Sequence, residues 1–136
     1  MKLRDLITDE ERWEIEPSDL RALLDHRDEA PFLLIDCRES DEHADWRIGG
    51  DILMPLSNFP SEVATHLDNE TLPLIVYCHH GIRSLQATQY LRVQGHAKTF
   101  SLRGGIDAVT QPSISLNAHG LLQFLPRSWY QTWVGL

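Results

Sequence analysis

The run Leu74-Ile75-Val76-Tyr77 constrains this chain more than any other feature, because it is apolar at every position. A strand with one face in water alternates apolar and polar side chains, so an unbroken run needs cover on both faces. Phe32-Leu33-Leu34-Ile35, which ends at Asp36, has the same character. Both runs are strand-sized and far too short to span a bilayer. Two such strands, each followed by a segment of helical pattern, call for a parallel sheet with helices packed on either side.

The other segments fit that plan. Trp13 to Glu16 reads as a short strand closed by Pro17, and Ser18 is a candidate cap for a helix carrying Leu20, Leu23 and Leu24 on one face. Ser40 to Trp46 reads as a short helix closed by Gly49-Gly50, and Asp51 to Leu56 as a returning strand. Asn58 to Leu67 spaces Phe59, Val63 and Leu67 by four, as one helix face requires. From about Arg83 to Gln94 a second helix sets Ser84, Ala87, Thr88 and Leu91 on a face of mostly small residues, suited to close packing on a sheet. Gly95 stands where a left-handed helix stop belongs. Lys98 to Leu102 supplies a last strand before Gly104-Gly105 and a short helix. The expectation is a single α/β domain over residues 1–136, built on a mainly parallel five-stranded sheet flanked by helices on both faces.

Composition narrows the function. Apolar residues make up 42% and charged residues 24% of the chain, an ordinary balance for a globular protein. The net charge of −8 argues against nucleic acid and against an anionic membrane surface, both of which need a basic face. Cys37 and Cys78 make no disulfide framework and have no zinc-ligand spacing. The first residues carry no long apolar segment of the kind that directs secretion, so a cytoplasmic location is expected.

Chemistry concentrates in Cys78-His79-His80-Gly81-Ile82-Arg83-Ser84, between the most apolar strand and the longest helix. Ligands of open α/β sheets bind at the carboxyl ends of strands. A helix N-terminus there presents unpaired N–H groups, and a glycine lets the turn curl so that its amides converge on an anion. Cys78 would sit at the centre of this nest with its thiol pKa below the ordinary value of about 8.5. Arg83, at the rim, can add a fixed charge and two-pronged hydrogen bonding. A buried strand-end cysteine with a plain turn after it is the simpler reading. The coincidence of cysteine, glycine and arginine at one strand–loop–helix junction favours the functional one.

The pattern Cys-x-x-Gly-x-Arg-Ser after an apolar strand resembles the active-site loop of rhodanese domains. Three further segments resemble that family in the same order along the chain. They are Asp36-Cys37-Arg38-Glu39-Ser40-Asp41-Glu42, Arg47-Ile48-Gly49-Gly50-Asp51-Ile52 and Leu102-Arg103-Gly104-Gly105-Ile106-Asp107-Ala108-Val109. Arg47 stands where the family usually has histidine, and Val109 where it has tryptophan. The likeness runs from about Glu14 to Val109 and leaves residues 110–136 as a C-terminal extension. That extension holds Leu121, Leu122, Phe124, Leu125, Trp129, Tyr130 and Trp133, so it is expected to pack on the core or on a partner.

The resemblance implies sulfur transfer through a persulfide on Cys78. The backbone of His79, His80, Gly81, Ile82, Arg83 and Ser84 would hold the incoming anion, with no metal or organic cofactor. It implies a small sulfur-containing anion or thiol as substrate, and it admits a protein as sulfur donor or acceptor. Whether the chain is a monomer or a homodimer stays open. His79 and His80 could orient the donor and add a titrating charge, or could simply face solvent. Asp36 and Arg38 are expected to act structurally, the carboxylate capping the next segment and the guanidinium tying loops together. Cys37 is expected in the core, a redox role being the alternative, and Glu42 and Arg47 either at the surface or behind the residues of the site. Two rival functions are a rhodanese-like interaction module without catalysis and a cysteine-dependent phosphatase or arsenate reductase. Related phosphatases place one residue more between cysteine and arginine than the four found here, and this loop has no aspartate to act as general acid.

Overall fold

The computed structural model describes residues 2–109, and the expectations for residues 110–136 lie outside them. Five strands alternate with five helices: β1 (Glu14–Ile15), α1 (Pro17–Asp25), β2 (Leu33–Asp36), α2 (Ser40–Asp45), β3 (Ile52–Leu53), α3 (Phe59–His66), β4 (Leu74–Tyr77), α4 (Ile82–Val93), β5 (Thr99–Leu102) and α5 (Gly105–Val109). The sheet has the order β1-β5-β4-β2-β3. Every pairing in it is parallel, so the expected mainly parallel sheet is wholly so among the described residues.

Alternation along the strands divides the core in two. Leu34, Ile75, Tyr77, Phe100 and Leu102 pack with Leu20 and Leu23 of α1 and with Ile106 and Val109 of α5. Ile35, Leu74, Val76 and the cysteines Cys37 and Cys78 pack with Phe59 of α3, with Leu67 just past its end, and with Ala87 and Leu91 of α4. Every residue of β4 and β5 is buried, which explains why the run 74–77 carries no polar alternation. Each fully buried Leu or Ile contributes roughly 1.5–3 kcal/mol, so the two layers supply the main cohesion of the sheet. Ser84, Ala87, Thr88 and Leu91 are the buried face of α4, and the small side chains let it lie close to β4 and β5.

Several boundaries differ from the sequence expectation for identifiable reasons. Helix α1 begins at Pro17 with Glu16 before it, so Ser18 lies inside the first turn and is not the cap. Proline suits a first helical position, since its fixed φ is helical and an N–H there has no partner to lose. Strand β3 pairs only Ile52 and Leu53 with Ile35 and Asp36, shorter than the expected Asp51 to Leu56. Pro55 cannot donate to a ladder, and a 3-10 turn over Leu56–Asn58 follows it. At the end of α4, Gly95 has φ of +105°. There the His96 N–H donates to the Leu91 carbonyl and the Gly95 N–H to the Arg92 carbonyl, a Schellman closure.

The topology also fixes where a site can form. Strand β2 leads by α2 to β3 on one side, and β4 leads by α4 to β5 on the other. Between adjacent β2 and β4 the connections therefore depart in opposite directions. Such a divergence opens a crevice at the carboxyl ends of the strands. Cys37 and Cys78 are the first residues beyond those two ends.

Candidate active site

The loop after β4 wraps its backbone around the Cys78 sulfur. Gly81 and Ser84 donate their N–H groups to Sγ at 3.0 and 3.3 Å. The Ser84 hydroxyl lies 3.4 Å from Sγ and 2.7 Å from the hydroxyl of Ser101 on β5. Gly81 makes the curl possible with φ of +100°, and a Cβ there would come within 3.1 Å of the Gly104 nitrogen. The second glycine turn backs the loop from outside. The Ile106 N–H donates to the Cys78 carbonyl at 2.8 Å and the Asp107 N–H to the His79 carbonyl at 3.0 Å. With those carbonyls tied to α5, the amides of Gly81 and Ser84 are left to face the sulfur.

The expected fall in the Cys78 pKa is large, to about 4. Its main cause was not expected: the neighbouring Cys37 thiol stabilises the Cys78 thiolate. Burial opposes the shift, and the Ser84 hydroxyl with the amides of Ser84 and Gly81 adds to it. The same interaction, with burial behind it, pushes the Cys37 thiol far up. Cys78 is thus the thiolate of the pair, and Cys37 keeps its proton. Register could have revealed this, because Asp36 pairs with Tyr77 and the next residues along are the two cysteines.

Arg83 lies at the rim as expected, half-buried, but its fork does not point into the nest. Nη1 and Nη2 donate to Oε1 and Oε2 of Glu42 at 2.8 and 2.9 Å, bridging α4 to α2. Glu42, expected at the surface or behind the residues of the site, takes the second place; these bonds hold it at a pKa of about 2, and it also accepts the Glu39 N–H at 3.1 Å. The paired carboxylate in turn raises the Arg83 pKa. The resting rim is an ion pair, where a free cation was expected.

The remaining residues of the loop face outward. His79 and His80 are exposed, with rings stacked at 4.0 Å and one nitrogen of each within 4 Å of a carboxylate oxygen of Asp107. Ile82 is 70% exposed.

Asp36 and Arg38 are buried beside the crevice in a network of their own. Arg38 donates from Nε and Nη2 to the two carboxylate oxygens of Asp36 at 3.0 and 2.9 Å, and from its backbone N–H to Oδ1 at 3.0 Å. It also donates to the Trp46 carbonyl. His43 Nδ1 lies 2.8 Å from Asp36, and the Tyr77 hydroxyl donates to Asp51. Asp36, His43 and Asp51 bring three possible metal-ligating atoms within 4.8 Å of one another, but the Arg38 fork already occupies both oxygens of Asp36.

The model of the rhodanese-like domain family matches residues 16–112. A sulfurtransferase from Allochromatium vinosum is 36% identical over 84 residues, which cover 60% of this chain and 74% of that protein. The thiosulfate sulfurtransferase GlpE of Coxiella burnetii is 30% identical over 76 residues, covering 56% and 69% of the two chains. Among solved structures, the rhodanese-like domain of an Anabaena protein superposes with a TM-score of 0.62 at 24% identity, covering 70% of each chain. A rhodanese-like domain protein from Staphylococcus aureus gives 0.62 at 23% identity, covering 71% of this chain and 89% of that one. At these identities the structural matches establish the fold.

Proposed function

The chain belongs to the rhodanese-like domain family, and from that premise we propose that it is a sulfurtransferase working through a persulfide on Cys78. One observation carries the reading: a buried cysteine whose sulfur accepts the convergent amides of Gly81 and Ser84 at the N-terminus of α4. In the proposed first half-reaction the thiolate attacks the outer sulfur of thiosulfate or of another persulfide. The S–S bond of the donor breaks, sulfite or a thiolate departs, and Cys78 keeps the sulfur as Cys78-S–S⁻. In the second half-reaction a thiophilic acceptor, cyanide or a thiol, takes the outer sulfur and restores the thiolate. The covalent intermediate between the halves predicts ping-pong kinetics.

The roles of the other residues follow from their positions. Gly81, Ser84 and the loop backbone from His79 to Ile82 form the anion cradle. Arg83 meets the donor at the rim by sharing or leaving Glu42. His79, His80 and Ile82 offer the exposed edge that an acceptor, small or protein, would approach. Asp36 and Arg38 hold the β2 end that borders the cradle.

Intact mass after incubation with thiosulfate tests the reading. The expected result is a gain of one sulfur atom, removed by cyanide and absent in Cys78→Ser. No gain with thiosulfate or with a persulfide donor would overturn it and favour the interaction module.

A further inference from the structure

The sulfur-transfer cycle leaves one buried nucleophile unused. Cys37 is 0% exposed and lies in the same core layer as Cys78, on the α3 and α4 side of the sheet. The β2–β4 ladder runs without a slip from Leu33↔Leu74 to Asp36↔Tyr77, and the Cys37 N–H continues it by donating to the Tyr77 carbonyl at 3.0 Å. The two cysteines are therefore the next pair in register. Neighbouring strands lie about 4.8 Å apart. A disulfide bridges Cα separations of about 4.4–6.8 Å, so the pair can close with little backbone movement.

We propose that Cys37 is a resolving thiol, which closes a reversible Cys37–Cys78 disulfide across the β2–β4 seam after a hydroperoxide has oxidised Cys78. In the first step the Cys78 thiolate attacks one oxygen of the hydroperoxide. An S–O bond forms and the O–O bond breaks. The alkoxide or hydroxide released takes up a proton, and Cys78, oxidised by two electrons, becomes a sulfenic acid. In the second step the Cys37 sulfur attacks Sγ of Cys78. The S–S bond forms, the S–O bond breaks, and the hydroxide departs with the Cys37 proton as water. A dithiol reductant reopens the bridge by exchange and is itself oxidised.

The arrangement suits this chemistry for a physical reason. A stabilised thiolate is the form that peroxides oxidise, and oxidation beyond the sulfenic acid is irreversible in the absence of a dedicated repair enzyme. A thiol at the next register position of the neighbouring strand, in the same core layer, intercepts the sulfenic acid without any diffusion step. The proposal goes beyond sulfur transfer and does not depend on it.

The test treats the full chain with hydrogen peroxide, quenches with an alkylating agent and reads intact mass. The wild type should lose two hydrogen atoms, take up no alkyl group and recover both thiols in dithiothreitol. Peptide mapping should join Cys37 to Cys78 within one chain. Cys37→Ser and Cys37→Ala, each checked for folding by circular dichroism, should instead gain two or three oxygens that dithiothreitol does not remove. The proposal is overturned if the wild type gains those oxygens with Cys37 still alkylatable after denaturation, or if the bridge joins two chains. The wild-type map stands even if both variants fail to fold. No sulfur donor is present, so failure here and failure of the persulfide experiment are separate results.

Discussion

Replacing Gly105 by alanine tests whether the second glycine turn holds the cysteine loop in shape. A Cβ at Gly105 would lie 2.3 Å from the His79 carbonyl oxygen and 2.6 Å from that of Cys78. Both obstacles are backbone, so relief requires α5 and the loop to separate by about 1 Å to regain ordinary van der Waals contact. Separation weakens the two bonds from the Ile106 and Asp107 amides to those carbonyls, at 2.8 and 3.0 Å, worth about 1 kcal/mol each. The φ of +67° adds about 1–2 kcal/mol of left-handed strain for a residue with a Cβ. The expected loss is therefore about 3–4 kcal/mol. Gly95→Ala is the control, because its φ is +105° and nothing lies within 4 Å of the added Cβ. It should lose only the strain, about 1–2 kcal/mol. Urea denaturation at constant m-value reads both, and the pH midpoint of Cys78 alkylation reads the loop. Gly105→Ala should raise that midpoint and Gly95→Ala should leave it in place. Equal destabilisation of the two variants, or an unmoved midpoint in Gly105→Ala, would refute the reasoning.

Three other predictions rest on single contacts. Iodoacetamide should modify Cys78 of the native chain at a rate that stays flat from neutral pH downward and falls only near pH 4. The folded pKa is depressed, so the thiolate's contribution to stability is present above the unfolded thiol pKa of about 8.5 and is lost as pH falls through about 4; a rate midpoint near 8.5 would contradict the nest. Glu42→Gln removes the carboxylate from the Arg83 fork, and about 1 kcal/mol of added attraction should lower the KM for thiosulfate about five-fold. An unchanged KM in steady-state sulfur transfer would show that Arg83 does not meet the donor. Asp36→Asn leaves the buried Arg38 guanidinium without its carboxylate and should cost about 3–5 kcal/mol in chemical denaturation; a loss below about 1 kcal/mol would show that the network is dispensable.

The fold was legible where burial is complete. Leu74 to Tyr77 announces a two-sided strand because no position along it meets water, and its bounds match β4 at both ends. The face of Ser84, Ala87, Thr88 and Leu91 announces α4 for the same reason. Short edges were less legible. In β3 only Ile52 and Leu53 pair, because Pro55 and the 3-10 turn after it end the strand that Asp51 to Leu56 suggested. At the site, the loop residues could be read off because their chemistry is contiguous in sequence. Cys37 and Glu42 could not, since each meets its partner 41 positions away across the β2–β4 seam. Spacing within one segment carries no information about that register until the strands are paired.

The origin of the field at Cys78 also explains how an acidic chain can hold an anion at its reactive centre. With a net charge of −8, the long-range potential opposes a thiolate, and Arg83 at the rim is already matched by Glu42. What stabilises the sulfur is a set of neutral dipoles close by: the amides of Gly81 and Ser84, the Ser84 hydroxyl and, from the neighbouring strand, the Cys37 thiol. Dipoles at about 3 Å act below the range over which salt screens, since the Debye length is about 8 Å at physiological ionic strength. Their effect is set by orientation, and orientation is set by backbone. That makes the glycine conformations, the parallel register of β2 with β4 and the carbonyl ties to α5 the determinants of reactivity. The overall charge is then free to serve other ends, and Arg83 with Glu42 can govern which anions enter without also having to sustain the thiolate.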